Sequence, residues 1–310
     1  MKIFVAGATG VVGRRVVPIL VDAGAEVTAV ARSRAKAAQL ERQGATAVMV
    51  DLFDPAAVEE AVAGHHTVIN LTTSIPSGAR LLLPGAFRTN ARIRTEASQN
   101  LASAAIAARA RRFVQESFAL AYPDGGDDWI DESVPIEPAS YLESVRDAES
   151  AAEEFTRSGG AGVVLRFSMF YGPDSALTQD LVKAVSRGIA PIFGGSTGYM
   201  SSLWTDDAAS AVFSALKVPA GYYNVTDNEP LRRGEALGLL AAALGKKTPR
   251  IAPRWLSRVA GSVGETLGRS LRLSNARFRQ ASGWTPGVPS VREGWKQLVS
   301  EMKSGGFLPA

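Results

Sequence analysis

The chain alternates between two hydrophobic periods. Short apolar runs at 2–6, 26–31, 46–50, 67–71, 112–116 and 162–167 read as buried strands. Between them, apolar residues recur every three or four positions. Over 11–23, for example, Val12, Val16, Ile19, Leu20 and Ala23 share one side, which predicts a helix. Helices are also predicted over 35–43 (closed by Gly44), 56–63, 90–110 and 140–156. Strands and helices that alternate through short connections predict an α/β fold with a doubly wound parallel sheet.

The pattern changes after residue 170. The segment Arg166 to Pro173 leaves the sheet, 177–187 is helical, and Thr205, Asp206 and Asp207 open a capped helix. A further strand is predicted at 222–225, with helices over 235–244, 253–267 and 275–281 and a loop at 284–289. The expected layout is a nucleotide-binding domain over 1–170 that takes back a segment near 200–226. A smaller, mostly helical substrate lobe comes from 171–199 and 227–310. Residues 74–87, rich in Pro, Gly and Leu, read as a loop over the cleft, and 123–138 as an acidic loop.

Composition removes several classes of function. The chain of 310 residues, 46% hydrophobic, is long enough for a large core. It has no cysteine, which excludes a disulfide framework, a thiol catalyst and a Cys-based zinc site. The only histidines, His65 and His66, are adjacent after Gly64 and read as a turn, so no metal is expected. Net charge is +4, and the arginines are dispersed without a basic stripe carrying aromatics, so no nucleic-acid partner is expected. No apolar run reaches the length of a membrane span. A first strand starting at residue 2 leaves no room for a signal peptide, which points to the cytoplasm.

The chemistry is concentrated in the first thirteen residues. Gly7, Gly10 and Gly13 follow the first strand and open a helix, with Thr9, Val11 and Val12 between and beside them. Such a loop lets the backbone approach a pyrophosphate while the helix N-terminus presents free N–H groups. At the end of the second strand, where NAD enzymes place an acidic residue on the ribose, stand Arg32, Ser33 and Arg34. Two guanidiniums and a hydroxyl suit a 2′-phosphate, which favours NADP over NAD. Arg14 and Arg15 are expected to add to that patch. Asp51 and Leu52 at the third strand end suit adenine, Asp51 doubling as a helix cap near Pro55. Asn70, Leu71 and Thr72 at the fourth suit ribose and nicotinamide.

In this order the motifs resemble the extended and atypical short-chain dehydrogenase/reductases, the NAD-dependent epimerase/dehydratase group. The likeness spans most of the chain. It includes Gly7 to Gly13, Asp51-Leu52, Asn90 with Asn100-Leu101, Leu165 to Pro173, Asp206-Asp207-Ala208 and Tyr223-Asn224-Val225. The resemblance implies cofactor contacts from Phe167, Ser168 and Met169, and substrate contacts from Phe118, Val145, Tyr171 and Trp204. It also implies a homodimer through helices 90–110 and 140–156, with Ala102, Ala104, Ala105 and Ala108 permitting close packing.

The family's catalytic groups are a Ser or Thr, a Tyr and a Lys, the last two as Tyr-x-x-x-Lys. Here Tyr141 is present, but Val145 stands in the Lys position and Arg146 falls one residue late, about a hundred degrees around the helix. Aligned through Tyr122, the hydroxyl position falls on Phe118, with Ser117 beside it. The catalytic candidates are therefore Tyr141 and Ser117. Without the Lys, Tyr141 stays protonated near neutrality and suits reduction, as a proton donor. The leading expectation is an NADP(H)-dependent reductase of a carbonyl or activated C=C in a small molecule. Two alternatives stand beside it. One is non-redox chemistry using Asp127, Asp128, Asp131, Glu132 or Glu143, and the other is a regulator that senses NADP without turnover.

Overall fold

Seven strands hydrogen-bond side by side, all parallel. They are β1 (Lys2–Ala6), β2 (Glu26–Val30), β3 (Thr46–Val48), β4 (Thr67–Asn70), β5 (Arg112–Phe118), β6 (Ala161–Phe167) and β7 (Gly221–Val225), in the spatial order 3-2-1-4-5-6-7. The computed structural model describes every residue except 77–82, 84, 254, 256, 258–260, 309 and 310. The strand order reverses between β1 and β4, and the crevice at their C-terminal ends is where sheets of this kind hold ligands. The returning strand near 222–225 is β7, at the sheet edge beside β6.

Helices cover both faces. On one side α1 (Gly13–Asp22) packs against α8 (Thr205–Ser214), and Val16, Val17, Leu20, Ala208 and Val212 close on the sheet. On the other lie α3 (Pro55–Val62), α5 (Ser98–Ala107) and α6 (Ser144–Arg157), closing through Val58, Leu101, Ala105, Ala151 and Phe155. Ala102, Ala104 and Ala105, expected to serve a dimer, are 0–3% exposed and seat α5 within its own chain. The predicted helix 90–110 is three pieces: α4 (Arg88–Arg92), a π-helical turn Ile93–Ala97, and α5. The remaining Rossmann helix, α2 (Arg34–Arg42), links β2 to β3.

Helix α10 (Gly261–Leu267) packs through Leu267 on the cluster of Leu120 and Leu271, and α11 (Ala276–Ser282) through Phe278 on Tyr223 of β7, while the lobe core gathers α7 (Ala176–Ser186), α9 (Arg233–Ala243) and α12 (Val291–Ser304). The last was not expected from the sequence. Ser290 caps it by accepting from the Arg292 N–H at 3.0 Å, and Val291, Trp295, Leu298, Val299 and Met302 bury one stripe against the lobe core. Part of the helix expected at 253–267 lies outside the described residues, and α10 is its described remainder. No described helix is long and apolar enough to cross a membrane.

Candidate functional site: a dinucleotide crevice with a stripped proton relay

Each glycine of the first loop answers a different steric demand. Gly7 has φ +79°, in the left-handed region, and a Cβ there would lie 2.5 Å from the backbone of Leu71 at the end of β4. A Cβ on Gly13 would lie 2.2 Å from the Gly7 carbonyl oxygen. One on Gly10 would meet only that same oxygen, at 3.2 Å. Gly7 and Gly13 thus close the loop onto strand and helix. Gly10 leaves its outer side open before the free N–H groups of α1, as a pyrophosphate requires. Thr9 and Val11 are half-exposed on this loop and Val12 is buried beneath it.

The adjoining turn is fixed from inside. Asn70 is fully buried; its amide donates to Ser98 Oγ (3.1 Å) and Gln115 Oε1 (2.9 Å), and its oxygen accepts from the Thr72 N–H (3.1 Å) and hydroxyl. It therefore shapes the Leu71-Thr72 turn and does not face the crevice, which corrects its expected role as a ribose contact.

At the adenine end, Ser33 caps α2 by accepting from the Lys36 N–H (3.3 Å). Arg32 and Arg34 flank it, exposed, and among the described residues neither pairs with a carboxylate. Arg14 and Arg15 do not join them: both bind Asp174, and Arg15 also binds Asp206 at the start of α8. Asp51 is exposed and accepts from the Phe53 N–H (3.0 Å); the helix cap expected of it belongs to Asp54. Leu52 is half-buried beside it.

The chemical end departs from the family pattern more deeply than the sequence indicated. Tyr141 is half-buried, its ring 4.6 Å from that of Phe87. Thr266 stands beside its hydroxyl and donates its own proton to the Ser262 carbonyl (2.7 Å). Burial lifts the Tyr141 phenol above its ordinary value, against the neighbouring Thr266 and the charge of Arg269. Val145 is 0% exposed, packed with Leu120, Tyr122, Leu142 and Leu271, so it touches no substrate. Phe118 is half-buried against the same cluster. Arg146 points away, bonded to Glu143 and the Ile136 carbonyl.

Ser117 is also corrected. It is fully buried and donates to Glu149 Oε1 at 2.6 Å, out of reach of a substrate. Both Glu149 oxygens accept from Arg166 at 2.8 Å; Arg166 also donates to the Tyr122 hydroxyl (2.8 Å), which donates to Asn224 (2.9 Å). Burial pushes the Tyr122 hydroxyl up to about 12. A second sealed pair, missed from the sequence, joins Arg94 on the π turn to Glu116, whose carboxyl burial pushes up. An arginine within a helix otherwise read as Ala-rich was the one available signal.

Two expected substrate contacts belong to the lobe core. Tyr171 and Trp204 are 3% and 2% exposed, and Tyr171 sits edge-on to Trp204 and Trp295. Neither presents surface to a ligand. Phe167 is likewise core, against Phe170. Ser168 is buried, its hydroxyl without a hydrogen-bond partner among the described residues, and Met169 is half-buried. In the acidic loop, Asp127 bonds Arg232 (3.0 Å), Asp131 bonds Ser133, and Glu132 accepts from the Asn224 N–H (2.6 Å). His65 is bonded to Thr28 and Val62, and no metal-binding cluster occurs among the described residues.

A doubly wound sheet with this loop at its switch point defines a nicotinamide-dinucleotide-binding protein. A family model described as NAD(P)H-binding matches residues 7–184. The chain belongs to that family, within the extended and atypical short-chain dehydrogenase/reductases. It is 35% identical over 308 residues to a 3-diazoavenalumate denitrifying reductase from a Streptomyces species, covering 95% of this chain and 99% of the relative. It is 26% identical over 292 residues to a 2-alkyl-3-oxoalkanoate reductase of Shewanella oneidensis, covering 88% and 73%. A UDP-glucose 4-epimerase from Thermotoga maritima shares the fold, with a TM-score of 0.80 at 21% identity over 98% of this chain and 99% of that one.

Proposed function

We propose that the protein is an NADP(H)-dependent reductase of a small organic acceptor, a carbonyl or an activated C=C, with Tyr141 as the proton donor. The observation that carries this reading is the dry, apolar filling of the lysine position by Val145 beside a phenol that burial keeps protonated. A neutral phenol gives a proton to a developing alkoxide but is a poor base for oxidising an alcohol. The cofactor supplies hydride when bound. The residues present fit it: Gly10 leaves room for the pyrophosphate, and among the described residues the buried Ser168 hydroxyl has no partner and Arg32 and Arg34 flank Ser33 without a carboxylate. The two relatives are named as reductases, which supports the direction.

A second reading follows from the loss of the lysine at Val145 and the name of the Streptomyces relative. An aryldiazonium cation that takes hydride at its ring carbon forms a C–H bond, breaks the C–N bond and releases dinitrogen as a neutral product, so it needs no proton at all. In that case the loss of Ser and Lys from the relay costs nothing. The two readings part on Tyr141→Phe, assayed by NADPH consumption. With a ketone acceptor the rate should fall by about 10²–10⁴; with an aryldiazonium acceptor it should hold. Full turnover of every carbonyl acceptor by the variant removes Tyr141 from the chemistry.

A further inference from the structure

Tyr141 forms part of the wall of a cavity of about 560 Å³ between the start of α4, the start of α6, and α10. That volume is in the range of sites for small organic molecules. Its half-buried part is the Phe87–Tyr141 ring pair with Ala91, a residue small enough to leave the space open. Its rim carries two charges. Glu143 is bonded to Arg146 (3.3 Å) and so compensated. Arg88 is exposed, its Nε within 3.5 Å of the Gly85 carbonyl oxygen, and among the described residues it has no carboxylate partner. The cavity therefore presents an aromatic and aliphatic wall with Ser140, Ser144 and Ser262 beside it, and at its mouth one guanidinium that pairs with no carboxylate among the described residues.

We propose that this cavity binds the acceptor and that the acceptor is a flat aromatic carboxylate, its ring over Phe87 and Tyr141 and its carboxylate on Arg88. A guanidinium pairs with a carboxylate through two parallel N–H···O bonds, which a neutral amide of the same shape does not reproduce. Aromatic rings meet each other in offset or edge contacts of the kind the Phe87–Tyr141 pair already shows. The assignment rests on the reductase reading for what happens next to Tyr141, but binding in the cavity is measurable without turnover.

The test is calorimetric titration of the protein saturated with NADP⁺, using trans-cinnamate and its isosteric neutral amide, cinnamamide, as probes. Wild-type protein should hold cinnamate about tenfold more tightly than cinnamamide, the size of one charge-assisted hydrogen bond. Arg88→Gln should bring the two to parity. Ala91→Leu should weaken both probes while NADP⁺ affinity stays unchanged. A ratio near one in the wild type, or a ratio that survives Arg88→Gln, overturns the assignment. The two proposals separate cleanly. A carboxylate preference with no hydride transfer to any acceptor keeps the cavity and removes the reductase; hydride transfer with a ratio of one does the reverse.

Discussion

The two ends of the crevice use their polar residues in opposite ways. At the cofactor end Arg32 and Arg34 are exposed and, among the described residues, pair with no carboxylate, and the loop is closed by steric fit and its own backbone bonds, such as the Gly10 N–H to the Gly7 carbonyl (3.0 Å). At the β5–α6 end, Ser117, Glu149, Arg166 and Tyr122 are turned inward and bonded to one another, while Tyr141 borders open space together with Ser140, Glu143 and Ser144. Where most of the family places a proton relay, this chain has a sealed ion network. The cofactor end is built for a ligand, whereas most of the other end is built for the fold.

That contrast breaks first at Glu149. Removing one partner of a buried pair leaves the other charge unpaired, at a cost of about 3–5 kcal/mol. Glu149→Ala should therefore lower unfolding stability by that amount in a urea titration, with Arg166 and Ser117 both losing their acceptor. Loss of turnover at unchanged stability would instead place Glu149 in the chemistry.

The converse belongs to Arg32. Arg32→Ala should weaken NADPH by about 1.5–3 kcal/mol, leave NADH nearly unchanged, and leave the urea midpoint where it was. Equal losses for both cofactors would remove the 2′-phosphate from this strand end.

The same division explains what was legible in the sequence. The glycine loop and the strand–helix alternation are local, and each is dictated by the backbone within a few residues. Ser117 and Glu149 are 32 residues apart, and Arg94 and Glu116 are 22 apart on different elements. No spacing rule announces such pairs, so Ser117 reads as a catalytic hydroxyl until its partner is seen. Tyr171 and Trp204 look like site aromatics for the same reason, since only the packing of Trp295 on α12 shows that they are core. That helix did carry a legible signal, apolar residues at 291, 295, 298, 299 and 302 after a capping serine.

The smallest effect expected concerns pH, and it tests whether Tyr141 alone remains of the relay. Burial raises its folded-state pKa above the unfolded value of about 10. The stability gained from the protonated phenol is thus fully present below about pH 10 and is lost as pH climbs through the folded value. Turnover of a ketone should follow the same sign: flat between pH 6 and 9, within about twofold, with a single fall in alkali. A lysine-assisted tyrosine would instead bring a limb down towards neutrality, because a nearby ammonium lowers the phenol's pKa. An inflection in the acid-to-neutral range would point elsewhere. Glu132, half-buried against the Asn224 N–H with its carboxyl pushed up by burial, is the acidic-loop group placed to produce one. Glu132→Gln decides between them: it should leave the flat profile of a Tyr141 donor unchanged, and it would abolish an inflection that belonged to the loop.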